Sequence, residues 1–114
     1  MKFTSSTLRS IYTMLCDLRP FCRWSLPSTD EIIFVASNDT DAMGTYVYDD
    51  EKEKHILTIS KVKNGHLLTI IKTMSHEMIH MKRWQTTGWD KHDVVFRRFA
   101  TQISNELGFD PNEL

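Results

Sequence analysis

Residues 73–84 read TMSHEMIHMKRW, and His76, Glu77 and His80 within them are groups whose types and spacing could do chemistry. On a helix, residues four apart differ by about 40° around the axis, and their side chains start roughly 5–6 Å apart. Two imidazoles at that spacing can each reach one metal ion at about 2.0–2.1 Å without bending the backbone. Glu77 lies about 100° further round than His76, too far to join the same chelate, but able to reach a water bound to the ion. The chemistry of this H-E-x-x-H pattern is hydrolysis: two ligands and a general base carried by one rigid turn. The competing reading is two histidines exposed on a helix surface.

A catalytic zinc takes three protein ligands and keeps one position open. Downstream of the motif the available groups are Asp90, His92, Asp93 and Glu106. A helix opening near Asp90 would put His92 in its first turn, on the inward stripe that continues through Phe96 and Phe99. Glu106 is 14 residues further along, about 21 Å by helix rise, and cannot serve the same ion. The expected site is therefore one Zn²⁺ per chain held by His76, His80 and His92, with Glu77 as the catalytic base. His55 and His66 are read as strand or turn residues. Tyr46 and Tyr48 are possible oxyanion donors whose plainer use is sheet packing. Thr73, Asp90 and Asp93 are placed to orient the histidines. Trp84 and Trp89 either line a cleft or close the core.

These residues need a scaffold. Leu8, Ile11, Tyr12, Leu15 and Leu18 recur at helical spacing after Thr4, Ser5 and Ser6, and Pro20 ends that helix. EIIFVAS from Glu31, GTYVYDD from Gly44 and HILTISK from His55 read as strands, and Asn64-Gly65 as a turn closing the third. From His66 the period changes. Leu67, Ile70, Ile71, Met74, Met78 and Met81 form the stripe of the motif helix, with its exit expected at Gly88. The stripe of the last helix is Phe96, Phe99, Ala100, Ile103 and Leu107, stopped by Gly108 and Pro111. The order predicts an α+β fold: an N-terminal helix, a three-stranded sheet, the motif helix and a C-terminal helix.

The chain has 114 residues, enough for a single domain over 1–114. Its net charge of -1 makes no general case for nucleic acid, but the charge is uneven. Residues 52–102 hold ten Lys/Arg against four Asp/Glu, whereas 27–51 hold seven acidic residues and no basic one. The basic half leaves an acidic partner, nucleic acid or nucleoprotein open. Cys16 and Cys22 lack zinc-ribbon spacing and read as idle thiols of a reducing compartment. The polar N-terminus and the lack of any apolar run of roughly 20 residues point to a cytoplasmic protein without a membrane partner.

The run SHEMIHMKRWQTTGWDKHDVVFRRFATQISNELG resembles the SprT-like zinc metalloprotease family, the Spartan-related zincins. HEMIH matches the family's motif helix, and HDVVF its third-histidine segment. The paired strands GTYVYDD and HILTIS are similar to those preceding the family's motif helix, so the resemblance covers about residues 44–108. Asp93 stands where the family has Gly, as in a related group of zinc proteases. A metzincin is excluded, since Arg83 and Thr86 occupy the positions where it needs Gly and His. The resemblance implies a minimal zincin-like domain that hydrolyses peptide bonds of a protein or peptide substrate through a zinc-bound water activated by Glu77. The alternative is a non-catalytic zinc-binding or nucleic-acid-associated interaction domain using the same ligands.

Overall fold

A computed structural model describes residues 3–114. Helix α1 spans Ser5–Cys16 and is capped by Thr4, whose hydroxyl accepts from the Thr7 amide while the Thr7 hydroxyl accepts from the Thr4 amide. It buries Leu8, Ile11, Tyr12 and Leu15. Leu18, read as part of this stripe, falls beyond the helix and is exposed.

Strands β1 (Ile32–Ser37), β2 (Gly44–Asp49) and β3 (Lys54–Ser60) form one mixed sheet in the order β1-β3-β2. β1 runs parallel to β3, pairing Phe34 with Leu57, and β2 runs antiparallel to it, pairing Tyr46 with the same Leu57. In β3 burial alternates from Lys54 to Ile59. His55, Leu57 and Ile59 are buried, while Ile56 and Thr58 are half-buried on the opposite face.

Helix α2 covers Leu67–Lys82, and α3 covers Val94–Leu107. The Tyr12 ring meets Phe34 of β1 edge-on at 5.5 Å, and its hydroxyl, which donates to the Pro27 carbonyl at 2.5 Å, lies 3.7 Å from Met81 Sδ, which brings α1, the sheet and α2 into one core. The C-terminal half of α2 packs against both sheet and α3, so it is buried nearly all round, and Ser75, Glu77 and His80 are enclosed with Met74, Met78 and Ile79. Its first turn is different: Leu67, assigned to the apolar stripe, is 49% exposed.

Two boundaries differ from the sequence expectation. α2 stops at Lys82 rather than near Gly88, because the Arg83 amide already closes on the Ile79 and His80 carbonyls and Gln85 turns left-handed at φ 69°. α3 opens at Val94 rather than near Asp90, because the Asp93 carboxylate accepts from the Phe96 amide at 3.0 Å and so caps the helix there. Among the described residues no helix is long and apolar enough to cross a membrane.

Candidate metal centre

His76 and His80 sit one turn apart on α2, with their Nε2 atoms 3.3 Å from each other. His92 comes from the loop before α3 rather than from its first turn, and it is exposed rather than on the buried stripe. Its Nε2 nevertheless lies 3.2 Å from that of His80, and the potential ligand atoms of all three histidines fall within 4.8 Å of one another. A tetrahedral ion with bonds of about 2.0–2.1 Å separates its ligand nitrogens by ~3.3–3.4 Å. The two spacings lie within about 0.1 Å of that requirement, and the three histidines can hold a metal ion.

Hydrogen bonds fix the direction of the lone pairs. His76 Nδ1 donates to the Leu114 backbone oxygen at 2.9 Å, and His80 Nδ1 donates to the Trp89 carbonyl at 2.8 Å. Carbonyl oxygens only accept, so both protons are on Nδ1, and a neutral ring then leaves a bare lone pair on Nε2. Two such lone pairs facing each other at 3.3 Å repel unless a cation lies between them. Burial keeps the rings neutral. It lowers the pKa of His76 to about 4, helped by the neighbouring His80 and His92 and opposed by the Leu114 hydrogen bond. Burial likewise lowers that of His80. The Phe96 ring supports all three imidazoles, with centroid separations of 4.9, 5.0 and 4.6 Å to His76, His80 and His92.

Arg83 holds the loop that returns His92. Buried just past the end of α2, it forms a two-pronged ion pair with Asp93 (2.8 and 2.9 Å) and donates to the Lys91 carbonyl at 3.0 Å. Asp93 thus both caps α3 and anchors Arg83. The sequence reading used Arg83 only to exclude a metzincin; a bidentate pair ten residues apart across an irregular loop leaves no periodic signal.

Glu77 is 7% exposed, and its Oε2 lies 3.9 Å from His76 Nε2. It is not sealed from solvent, since with His76, Met43 and Gly44 it lines a cleft of about 540 Å³. Burial raises its pKa to about 7. A second cleft of about 450 Å³ runs past His92, Phe96 and Arg97, and Leu114 lies along both.

The other expected residues are placed elsewhere. The Tyr46 hydroxyl is engaged 2.7 Å from His55 Nδ1, and neither Tyr46 nor Tyr48 is among the residues lining these two clefts. Thr73 donates to Asn64 Oδ1 at 2.6 Å and orients no ligand. Asp90 is exposed and acts on His80 only through its charge. Trp89 contributes its carbonyl to His80 and its ring edge to Tyr46. Glu106 is exposed near the end of α3 and outside the three-histidine group. His66 caps α2 without a side-chain bond. Comparison with protein-family models, curated proteins and solved structures finds no match.

Proposed function

We propose that the protein is a zinc-dependent metallopeptidase that cleaves peptide bonds in a protein or peptide substrate, with His76, His80 and His92 as ligands and Glu77 as catalytic base. The observation that carries this reading is the convergence of three imidazoles, with His80 Nε2 3.3 Å from that of His76 and 3.2 Å from that of His92, beside a carboxylate that opens onto a cleft. An all-imidazole donor set with that spacing suits zinc. The resemblance of HEMIH and HDVVF to the SprT-like metalloproteases favours the same reading.

When bound, zinc supplies a Lewis acid that polarises a carbonyl oxygen and lowers the pKa of water from 15.7 to about 7. Glu77 takes a proton from the attacking water and returns it to the departing nitrogen. Its burial makes it a stronger base than an exposed carboxylate. β2 is an edge of the sheet, and its first residue Gly44, with Met43 before it, borders the cleft that holds Glu77. An extended peptide can add to that edge through main-chain hydrogen bonds, which would carry its backbone past the carboxylate.

The near-complete burial of Glu77 also favours a second reading, a non-catalytic zinc domain in which the ion serves folding or partner binding. Glu77→Gln separates the two. The peptidase reading expects a variant that binds zinc like the parent and loses at least about 10²-fold in peptide hydrolysis. A zinc-loaded variant with undiminished hydrolysis would overturn it, and zinc-loaded protein inert toward unfolded protein substrates would favour the structural reading.

A further inference from the structure

A third cavity, of about 390 Å³, shares no lining residue with the two clefts beside the histidines. Its walls come from three places: the loop after α1, the β2–β3 end of the sheet, and the C-terminal end of α2. Tyr48, His55 and Trp84 form an aromatic floor in mutual contact, with ring centroids 4.6 Å apart for Tyr48–Trp84, 4.9 Å for Tyr48–His55 and 4.6 Å for His55–Trp84. Glu31 and Glu53, both exposed, stand on the wall. From these residues we infer that the cavity binds an organic cation: the ammonium or guanidinium of a lysine or arginine side chain presented by a protein partner.

Three observations support a cation over a neutral or anionic guest. The π faces of Trp and Tyr carry negative charge density, which attracts ammonium and guanidinium groups within about 6 Å. Met81 and Lys82, at the negative end of the α2 dipole, form one wall. The acidic field is felt at the floor itself, where the Tyr48 hydroxyl is pushed up by burial and then by Glu53, Asp50, Glu31 and Asp49. Against these stands the Lys82 ammonium on the same wall, which donates to the Trp24 carbonyl at 2.9 Å and keeps its charge, but the carboxylates of Glu31 and Glu53 outnumber it. His55 adds no charge, since burial lowers its pKa. It is 4% exposed with Nδ1 held at the Tyr46 hydroxyl, and its Nε2 has no hydrogen-bond partner among the described residues.

The backbone points to the same place. Among the described residues three non-glycine positions have positive φ. Ser25 (54°) and Glu53 (53°) line this cavity, and Gln85 (69°) directly follows Trp84. Such conformations persist where the surrounding structure holds them, and they cluster at ligand sites. The apolar stem of a lysine or arginine would lie along Leu26 and Met81 while its charged head meets the ring faces and carboxylates. This site is independent of the peptidase reading.

The test follows the Trp84 indole N–H by NMR in the full chain, titrated with the blocked amino-acid amides Nα-acetyl-lysine methylamide and Nα-acetyl-arginine methylamide. Nα-acetyl-norleucine methylamide serves as the uncharged match for size. The basic amides should give saturable shifts, and the uncharged one should bind at least about fivefold more weakly. Glu31→Gln with Glu53→Gln should weaken lysine-amide binding by about three- to tenfold; both side chains are exposed, so the folded state is retained. Trp84→Leu should remove the response of its neighbours. Equal binding of the norleucine amide, an unchanged double variant, or no saturable shift at tens of millimolar ligand would overturn the proposal.

Discussion

A proton on Nδ1 decides what His76 and His80 offer at Nε2, and the Leu114 and Trp89 backbone oxygens hold it there. The neighbouring carboxyl has the opposite titration behaviour. Glu77 has its pKa raised by burial to about 7, so in metal-free protein its stabilising contribution is complete below about 4.5 and is lost as pH rises towards 7. His76, lowered to about 4, contributes stability that is complete above about 6.5 and is lost as pH falls towards 4. The two slopes oppose each other over the same window. Metal-stripped Glu77→Gln should therefore lose stability more steeply than the parent between pH 6.5 and 4.5, as read from thermal midpoints; parallel curves would contradict the assigned shifts. In the parent, the Glu77 carboxyl carbon should titrate near 7 in metal-free protein and move to lower pH on zinc loading, because a nearby dication favours the carboxylate.

Between elements, the placement of His92 depends on the Arg83–Asp93 pair rather than on a helix face. Asp93→Asn retains a capping side chain but gives up the two-pronged ion pair, so zinc affinity should fall by about tenfold with α3 intact, measurable by competition with a chelating dye. At the cleft's other wall, a Cβ on Gly44 would lie 2.8 Å from Thr73 Cγ2 and 3.1 Å from the Thr58 carbonyl. Gly44→Ala should destabilise the fold by about 1–3 kcal/mol in denaturant titration while leaving zinc affinity unchanged. These contacts mark where sequence reading stops. Alternation in HILTIS and the Ile70–Met74–Met78 stripe reveal β3 and α2, because burial on one face leaves a period. The parallel pairing of β1 with β3, which leaves β2 at the edge, is a long-range choice with no local signature. Asp90 and Asp93 are equally good caps by type, and what marks Asp93 as the start of α3, its bond from the Phe96 amide together with its pair with Arg83, leaves no local signal.

For the molecule as a whole, an ion held by His76, His80 and His92 would join α2 to the loop leading into α3, so binding should stabilise the folded state. At free zinc 100 times the dissociation constant the gain is about 2.7 kcal/mol, and chelation should lower the thermal midpoint by several degrees. The motif pair His76 and His80 was legible because both lie on one helix, whereas the supports at Trp89, Leu114 and Phe96 were not, since two act through backbone oxygens and the third reads as an ordinary core residue. Zinc-edge X-ray absorption on the loaded protein tests the central claim most directly. The account predicts three imidazole nitrogens at about 2.0–2.1 Å and one further light atom not supplied by the protein. A shell with fewer than three imidazoles, or one unchanged in His92→Ala, would contradict it.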